Sequence, residues 1–375
     1  MDKPSSRETQ TPRLLEIDYL RAYAVAFVIF LHVVGAYMGM SPKAEKFFAK
    51  TKFATGVDIF FAISGYIISR SLRGFWGENC WTLREKLERT LIFYRKRFVR
   101  LWPNAMFWLL VGVTLSIAFR YNGFWPNMTE AIQLLVAGVV YLSNFQQYSM
   151  PTALGYFWSL SVEWQFYLVL PLILVFIRPT AWRIGTLMAI MLASFVFQPG
   201  GPNWWIFRFD GIIFGILAFV VVDLIGVRIP SYRSLDSPAW RAFMIVALLA
   251  AIVVVPSAVV PDRLGSMFSS ATAAVLVALA SLDRGYISTL GARPVLQWLG
   301  SRSYSVYLCH MPCLLLVRSI HARFIGVNGV LHPTNAQAAA ELLGTFAAVA
   351  VASELSYRFI ERPSHERSHA IPSEP

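Results

Sequence analysis

The chain is short of charge, short of cysteine and free of repetition, and each shortage removes a class of function. Charged residues make up 14% of its 375 residues, against about a quarter in an ordinary soluble domain. With 56% hydrophobic residues and a mean hydropathy of +0.54, that excludes a water-soluble enzyme, a disordered chain and a nucleic-acid module. Three cysteines, Cys80, Cys309 and Cys313, form an odd set without metal-ligand spacing. Neither a disulfide framework nor a metal site is indicated. No fixed period and no low-complexity tract is found. A secretory leader is not expected, because a polar stretch to residue 16 precedes the first apolar segment, which itself contains Asp18, Arg21 and His32.

What the chain does have is long apolar runs with basic residues between them. The formal charge of +12 reads as a set of topology signals rather than as a surface for a polyanion. A bilayer core of ~30 Å takes about 20 mostly apolar residues per helix, and runs of that order predict ten spans: 17–38, 55–70, 101–119, 158–177, 184–197, 205–224, 242–260, 267–282, 296–320 and 336–360. The most basic connection is 70–100, with Arg70, Arg73, Arg84, Lys86, Arg89, Arg95, Lys96, Arg97 and Arg100 against Glu78, Glu85 and Glu88. It is assigned to the cytosol as a loop. Both termini then lie in the cytosol, as do Arg228, Arg233, Arg241, Arg284, Arg293, Arg362 and Arg367. The apolar run 131–142 is short and suits an interfacial or re-entrant helix, since as a crossing it would put Arg178 and Arg183 outside. The expected fold is an all-α polytopic membrane helix bundle of about ten spans. Its parts are a cytosolic N-terminal segment 1–16, a membrane domain 17–363 and a cytosolic tail 364–375. The loops are too short for an independent domain, so function has to be built between the helices.

An ionisable residue inside a span costs ~2.5–3.5 kcal/mol even on the lenient insertion scale, so each should face the bundle interior or a wet cavity. The candidates are Asp18, Arg21 and His32 in the first span, Asp58 in the second, Glu163 in the fourth, Asp210 in the sixth, His310 in the ninth and Glu354 in the tenth. Arg21 and His32 are eleven residues apart, three turns of a regular helix, which predicts one shared face and roughly 16 Å of separation. The structural alternative has Asp18 and Arg21 neutralising each other while His32 donates to a backbone carbonyl. Arg97 and Arg100, one turn apart, offer two guanidinium forks suited to the phosphates of an anionic ligand; as juxtamembrane arginines they also fit topology marking or anionic lipid.

Several segments then converge on one pattern. IDYLRAYAVAFVIFLHV from residue 17, GVDIFFAISGYIISR from 56, RKRFVRLWP from 95, FWSLSVEWQFYLVLPL from 157, LGSRSYSVYLCHMP from 299 and SYRFIERP from 356 resemble, in order and over nearly the whole chain, the acyltransferase-3 family of integral-membrane acyltransferases. The resemblance implies transfer of an acyl group, most often acetyl, from cytosolic acyl-coenzyme A to a hydroxyl of a cell-envelope or exported glycan, in a multi-pass protein of the bacterial cytoplasmic membrane. It implies that Arg21, His32, Arg97 and Arg100 are essential. The chain departs from the family pattern at Trp164, where a second glutamate is commoner, and at Cys309 and Met311, where tryptophans often flank His310. Some relatives carry a C-terminal serine-hydrolase-like domain; with the chain ending soon after Glu361, none is expected here.

The mechanism expected from these residues uses acetyl-coenzyme A as donor substrate and no permanently bound cofactor or metal. Arg97 and Arg100, with Arg21, hold the donor at the inner surface. His32 acts as general base or is itself transiently acylated, and Arg21 and Asp18 line the donor channel, where positive charge near the thioester oxygen stabilises the oxyanion. Asp58 either orients the imidazole or caps its own helix. Glu163 meets sugar hydroxyls on the acceptor side or locks two helices. Tyr304, Tyr307 and His310, at three-residue spacing, form either a polar seam or packing with satisfied hydroxyls. Trp125, Trp158, Trp204 and Trp205 read as an outer aromatic belt. The expected partners are acyl-coenzyme A, a polysaccharide or lipid-linked glycan and the bilayer, with no nucleic acid. The competing class is a transporter or flippase, since intramembrane charges also line substrate and proton paths; no duplicated halves support it.

Overall fold

The computed structural model of the chain describes residues 14–38, 42–77, 81–120, 124–146, 154–197, 205–226, 237–258, 262–290, 293–324 and 335–372. Glu78, Cys80, Trp204, Arg228 and Arg233 lie outside the described residues, as does most of the N-terminal segment. Among the described residues every regular element is helical. The main helices are α1 (Leu15–Ile29), α2 (Gly56–Ser71), α3 (Leu83–Ala118), α4 (Met128–Val139), α5 (Phe157–Phe176), α6 (Thr180–Phe197) and α7 (Asp210–Phe219). They continue with α8 (Pro238–Ala258), α9 (Asp262–Ser281), α10 (Arg293–Ser301), α11 (Ser303–Phe324), α12 (Asn335–Ser356) and α13 (Arg362–His369).

Eight helices among the described residues are long and apolar enough to cross a membrane, and the chain is a multi-pass membrane protein. Two predicted crossings are helical without meeting that test. The sixth is regular only from Asp210. The ninth is split at Arg302, which leaves the helix between α10 and α11 and donates from Nε to Glu354 at 2.5 Å. α4 has 12 residues, too few to span, and ends two residues before Tyr141, whose φ of 54° no helix can continue.

The largest correction concerns the basic connection, which is helical from Leu83. Thr82 Oγ1 accepts the Glu85 N–H at 3.3 Å and the Glu85 carboxylate accepts the Thr82 N–H at 2.7 Å, a reciprocal cap that starts α3. Arg84 then pairs with Glu88 one turn on at 2.8 Å. α3 runs for 36 residues, about 54 Å at 1.5 Å per residue, against the ~30 Å of a bilayer core. Charge marks a side of the membrane, and long charged side chains are good helix formers.

Among the described residues three stretches relax into π-helix: Phe30–Val34, Val220–Leu224 and Tyr357–Glu361. Each contains a titratable group that meets another helix: His32, Asp223 and Glu361. Asp223 accepts from Tyr66 Oη at 2.5 Å and Arg73 Nη1 at 3.0 Å. A π turn breaks the 3.6-residue period and is frequent where a side chain must be re-aimed.

Burial separates centre from rim. The spans through α2 and α5 are 67% and 61% buried, whereas those through α6, α8 and α12 are each 22% buried and turn apolar sides outward. The tightest contact at the centre joins α2 and α7. A Cβ on Gly65 would stand 2.0 Å from the Ile212 carbonyl oxygen, and one on Gly215 would stand 2.0 Å from that of Ala62. Backbones approach this closely only across small residues, the usual device where lipid removes the hydrophobic drive between helices.

Candidate functional site

α11 is the axis along which the site is built. Near its start, the Ser305 backbone N–H and Oγ donate to Glu361 Oε2 at 3.2 and 2.5 Å, so a carboxylate from the third π stretch satisfies one of the helix's free N–H groups. Asn104 Nδ2 donates to Ser305 Oγ at 3.0 Å, Ser356 Oγ to Asn104 Oδ1 at 2.6 Å and Trp108 Nε1 to Ser356 Oγ at 3.0 Å. This knot joins α3, α11 and α12 and holds Glu361 against Arg100 and Arg21, both within its electrostatic range.

Arg97 and Arg100 do come together with Arg21: Arg100 feels the charge of both, and all three are half-buried. Arg21 Nη1 also donates to Asp18 Oδ1 at 2.8 Å, the neutralising pair of the structural alternative. Arg97 Nη2 donates to Ser71 Oγ, on the last residue of α2, at 3.3 Å, and its guanidinium lies 5.4 Å from the centre of the Tyr167 ring. On the same helix Tyr94 Oη donates to the Leu168 carbonyl at 2.7 Å.

Beyond this arginine end a polar seam follows α11. Tyr304 Oη donates to the Leu101 carbonyl at 2.9 Å. A cavity of ≈ 20 Å³ beside it is lined by Tyr304, Glu163, Trp164 and Tyr167, room for about one water. Glu163 accepts from Ser64 Oγ and Tyr167 Oη. That is the helix-locking alternative, and it sets Glu163 in the seam beside Tyr304. One turn further, Tyr307 Oη and Ser159 Oγ share a hydrogen bond of 2.6 Å. The tyrosine hydroxyls are satisfied, and they still form a continuous seam.

The seam ends at two histidines. His310 Nδ1 lies 2.6 Å from the Tyr307 carbonyl oxygen, and its Nε2 lies 3.1 Å from His32 Nδ1. The rings are stacked with centroids 5.1 Å apart. A carbonyl only accepts, so Nδ1 of His310 carries the proton and its Nε2 holds a lone pair. An imidazolium here would be a buried charge without a carboxylate on it. With both rings neutral, His32 Nδ1–H donates to His310, and the lone pair of His32 stands on Nε2. His310 is fully buried and His32 half-buried.

Tyr156 completes the surround, its ring 5.3 Å from that of His310. Pro312 has no N–H to give the Leu308 carbonyl one turn back, and Tyr156 Oη donates to that carbonyl at 2.5 Å.

Other expectations need correcting. His32 pairs with His310, not with a backbone carbonyl. The π turn at Phe30–Val34 breaks the regular arithmetic that put Arg21 and His32 on one face, although both side chains meet groups borne on or bonded to α11. Arg21 groups with the other arginines rather than with the ring, so it does not supply an oxyanion contact there. Asp58 neither orients His32 nor caps its helix; it accepts from Arg208 Nη2. Arg208 Nε also donates to Asp210 Oδ1 at 2.9 Å, and Ser270 Oγ to Asp210 Oδ2 at 2.8 Å, closing an ionic knot between α2, α7 and α9. Glu354 faces Arg302 and Arg358, each at 2.5 Å, with its side chain 21% exposed, rather than the interior. Trp125 is buried, with its Nε1 donating to Ser319 Oγ at 2.8 Å, so it is no belt residue; Trp158 packs on Phe61 and Trp205.

Sequence reading missed Glu361, Tyr156 and Arg208. Pro312, two residues after His310, was the available sign that a carbonyl needed a partner. Nothing local signals the other two, whose partners are distant in sequence.

A family model described as an acyltransferase domain matches residues 14–354. YrhL of Bacillus subtilis is 28% identical over 92% of this chain and 54% of the relative. The peptidoglycan O-acetyltransferase OatA of Listeria monocytogenes is 27% identical over 92% of this chain and 55% of the relative. The O-acetyltransferase OatA of Staphylococcus aureus is 27% identical over 95% and 58%. The chain thus spans little more than half the length of these relatives. No solved structure matches it.

Proposed function

The chain belongs to the acyltransferase-3 family, and on that premise we propose that it moves an acetyl group from acetyl-coenzyme A to a hydroxyl of a cell-envelope glycan, with the peptidoglycan of its relatives the leading acceptor. The observation that carries the reading is the histidine pair: a half-buried imidazole in a π turn, its tautomer set by His310, at the end of a polar seam that starts from three arginines. Both chain ends lie in the cytosol and the bundle sits in the bacterial cytoplasmic membrane.

The donor's phosphates bind Arg97, Arg100 and Arg21, whose forks match phosphate oxygens. Glu361 and Asp18 keep the cluster from repelling itself when no donor is bound. The pantetheine arm then follows the seam past Tyr304 and Tyr307. The ≈ 20 Å³ cavity there is too small for it, so donor binding has to part α3, α5 and α11. At the ring, Nε2 of His32 takes the proton from the acceptor hydroxyl as its oxygen attacks the thioester carbon. The C–O bond forms, the C–S bond breaks, and the thiolate leaves with the proton that the imidazolium returns. Nothing is consumed beyond the two substrates, and no resident cofactor is needed.

The test uses the purified chain in lipid nanodiscs with acetyl-coenzyme A and a soluble peptidoglycan fragment. Free coenzyme A and acetylated glycan should appear in equal amounts. His32→Ala should abolish both while the protein level stays normal. Retained transfer in the variant removes the imidazole from the reaction. A carrier would move its substrate and release no thiol.

A further inference from the structure

Past the histidine pair, on the side away from the arginines, three helices bring together a second polar cluster. α11 runs on from His310 to Arg318 and His321, about three turns further. α1 continues through its π turn to Tyr37, and α12 begins nearby and contributes Glu341 and Thr345. Glu341 is 4% exposed. Its Oε1 bonds His321 Nδ1. Tyr37 Oη and Thr345 Oγ1 are 3.2 Å apart; the Tyr37 hydroxyl also stands within hydrogen-bonding reach of the Glu341 carboxylate, and Arg318 lies within electrostatic range of it. The Arg318 guanidinium stands 5.9 Å from the centre of the Tyr37 ring and 5.0 Å from that of Phe124. Tyr37, Thr345 and Glu341 are buried and form a floor, while Arg318, His321 and Phe124 are half-buried and form a rim.

Two buried atoms in this cluster have no hydrogen-bond partner among the described residues: Glu341 Oε2, an acceptor, and Arg318 Nε, a donor. Unmet polar atoms of this kind are costly when sequestered. One donor and one acceptor of opposite charge, both beside Tyr37, narrow the ligand. An anion is repelled by Glu341 and a cation by Arg318, and an acyl chain satisfies neither. A neutral hydroxyl donates to the carboxylate and accepts from the guanidinium at once. We propose that Tyr37, Arg318, His321 and Glu341 form a subsite for the hydroxyls of a neutral sugar ring of the acceptor glycan, further along the glycan than the ring that presents its acceptor hydroxyl to His32. The inference rests on the acyl-transfer reading, since it gives the acceptor an approach opposite to the donor's.

The experiment measures steady-state transfer by the full chain in nanodiscs, with acetyl-coenzyme A and a soluble peptidoglycan fragment varied separately, for wild type, Glu341→Gln and Arg318→Gln. Each variant should raise the KM for the glycan about tenfold or more and leave the KM for acetyl-coenzyme A and the thermal unfolding midpoint in detergent within error of wild type. Glycan KM values within twofold of wild type overturn the subsite, and so does an equal rise in both KM values. Calorimetric titration of the same fragment without donor separates the two readings. If wild type binds glycan and transfers nothing, the acyl-transfer reading fails while weakened binding in Glu341→Gln still upholds the subsite. If wild type transfers and Glu341→Gln binds as tightly as wild type, only the subsite fails. Should Arg318→Gln or Glu341→Gln not accumulate, Tyr37→Phe removes one hydroxyl from the same floor and should show the smaller rise in glycan KM alone.

Discussion

Arg208 and His32 are both polar groups inside a membrane-crossing bundle, and the chain treats them in opposite ways. Arg208, 3% exposed, is held by two carboxylates, one of which also takes a serine hydroxyl. Its charge is balanced by fixed partners. His32 has a single described partner on one nitrogen and keeps the other out of that bond. A saturated ionic knot holds helices in place at the expense of desolvating every member. A ring with one nitrogen committed and one in reserve is poised for proton transfer. Burial of charge alone therefore does not identify a functional group; the state of its remaining lone pairs does.

Breaking the knot should have the largest effect. Arg208→Ala leaves Asp58 and Asp210 side by side without their cation, at a cost of about 3–5 kcal/mol. The unfolding midpoint in detergent should fall steeply, and Arg208→Met combined with Asp58→Asn and Asp210→Asn should recover much of it. An unchanged midpoint in Arg208→Ala would mean that the knot does not brace α2, α7 and α9. The histidine side of the comparison is sharpened by His310→Phe, which keeps a planar ring but removes the acceptor for His32 Nδ1–H. It should lower kcat about 10- to 100-fold, less than the ~10²- to 10⁴-fold of a group that moves the proton itself, with the midpoint little changed. His310→Gln, whose amide oxygen can accept from His32, should keep more of the rate, and equal rates in the two variants would count against tautomer control. The smallest effect belongs to Glu354→Gln. Its pairs with Arg302 and Arg358 lie at the surface, so the midpoint should move by less than about 1 kcal/mol equivalent.

The fold was legible because membrane helices obey a length rule and a charge rule. The apolar runs located the helices, and the shortness of 131–142 identified α4. What failed were boundaries governed by other forces. The start of α3 is set by a Thr82–Glu85 cap inside a charged stretch, and the break at Arg302 by a distant carboxylate. Within the site, Arg21 and both histidines were named in advance because few ionisable groups survive inside spans, and Arg97 and Arg100 because they stand one turn apart beside one. Their pairing was not. His32 meets His310 because a π turn intervenes, and a π turn leaves no mark on apolar periodicity this short. Asp58 was given to the wrong partner because Arg208 lies 150 residues away, and Glu361 was passed over because it sits where the last span was taken to have ended.

The π turn at Phe30–Val34 holds one residue more than an ordinary helix needs for the same climb. Remove any one of the five and the first span would close into regular α-helix, the turns on either side keeping their faces while the ring of His32 is re-aimed away from His310. Its greasiness and its reach across the lipid would hardly alter. Where that imidazole points is a matter of counting, decided by a single peptide unit.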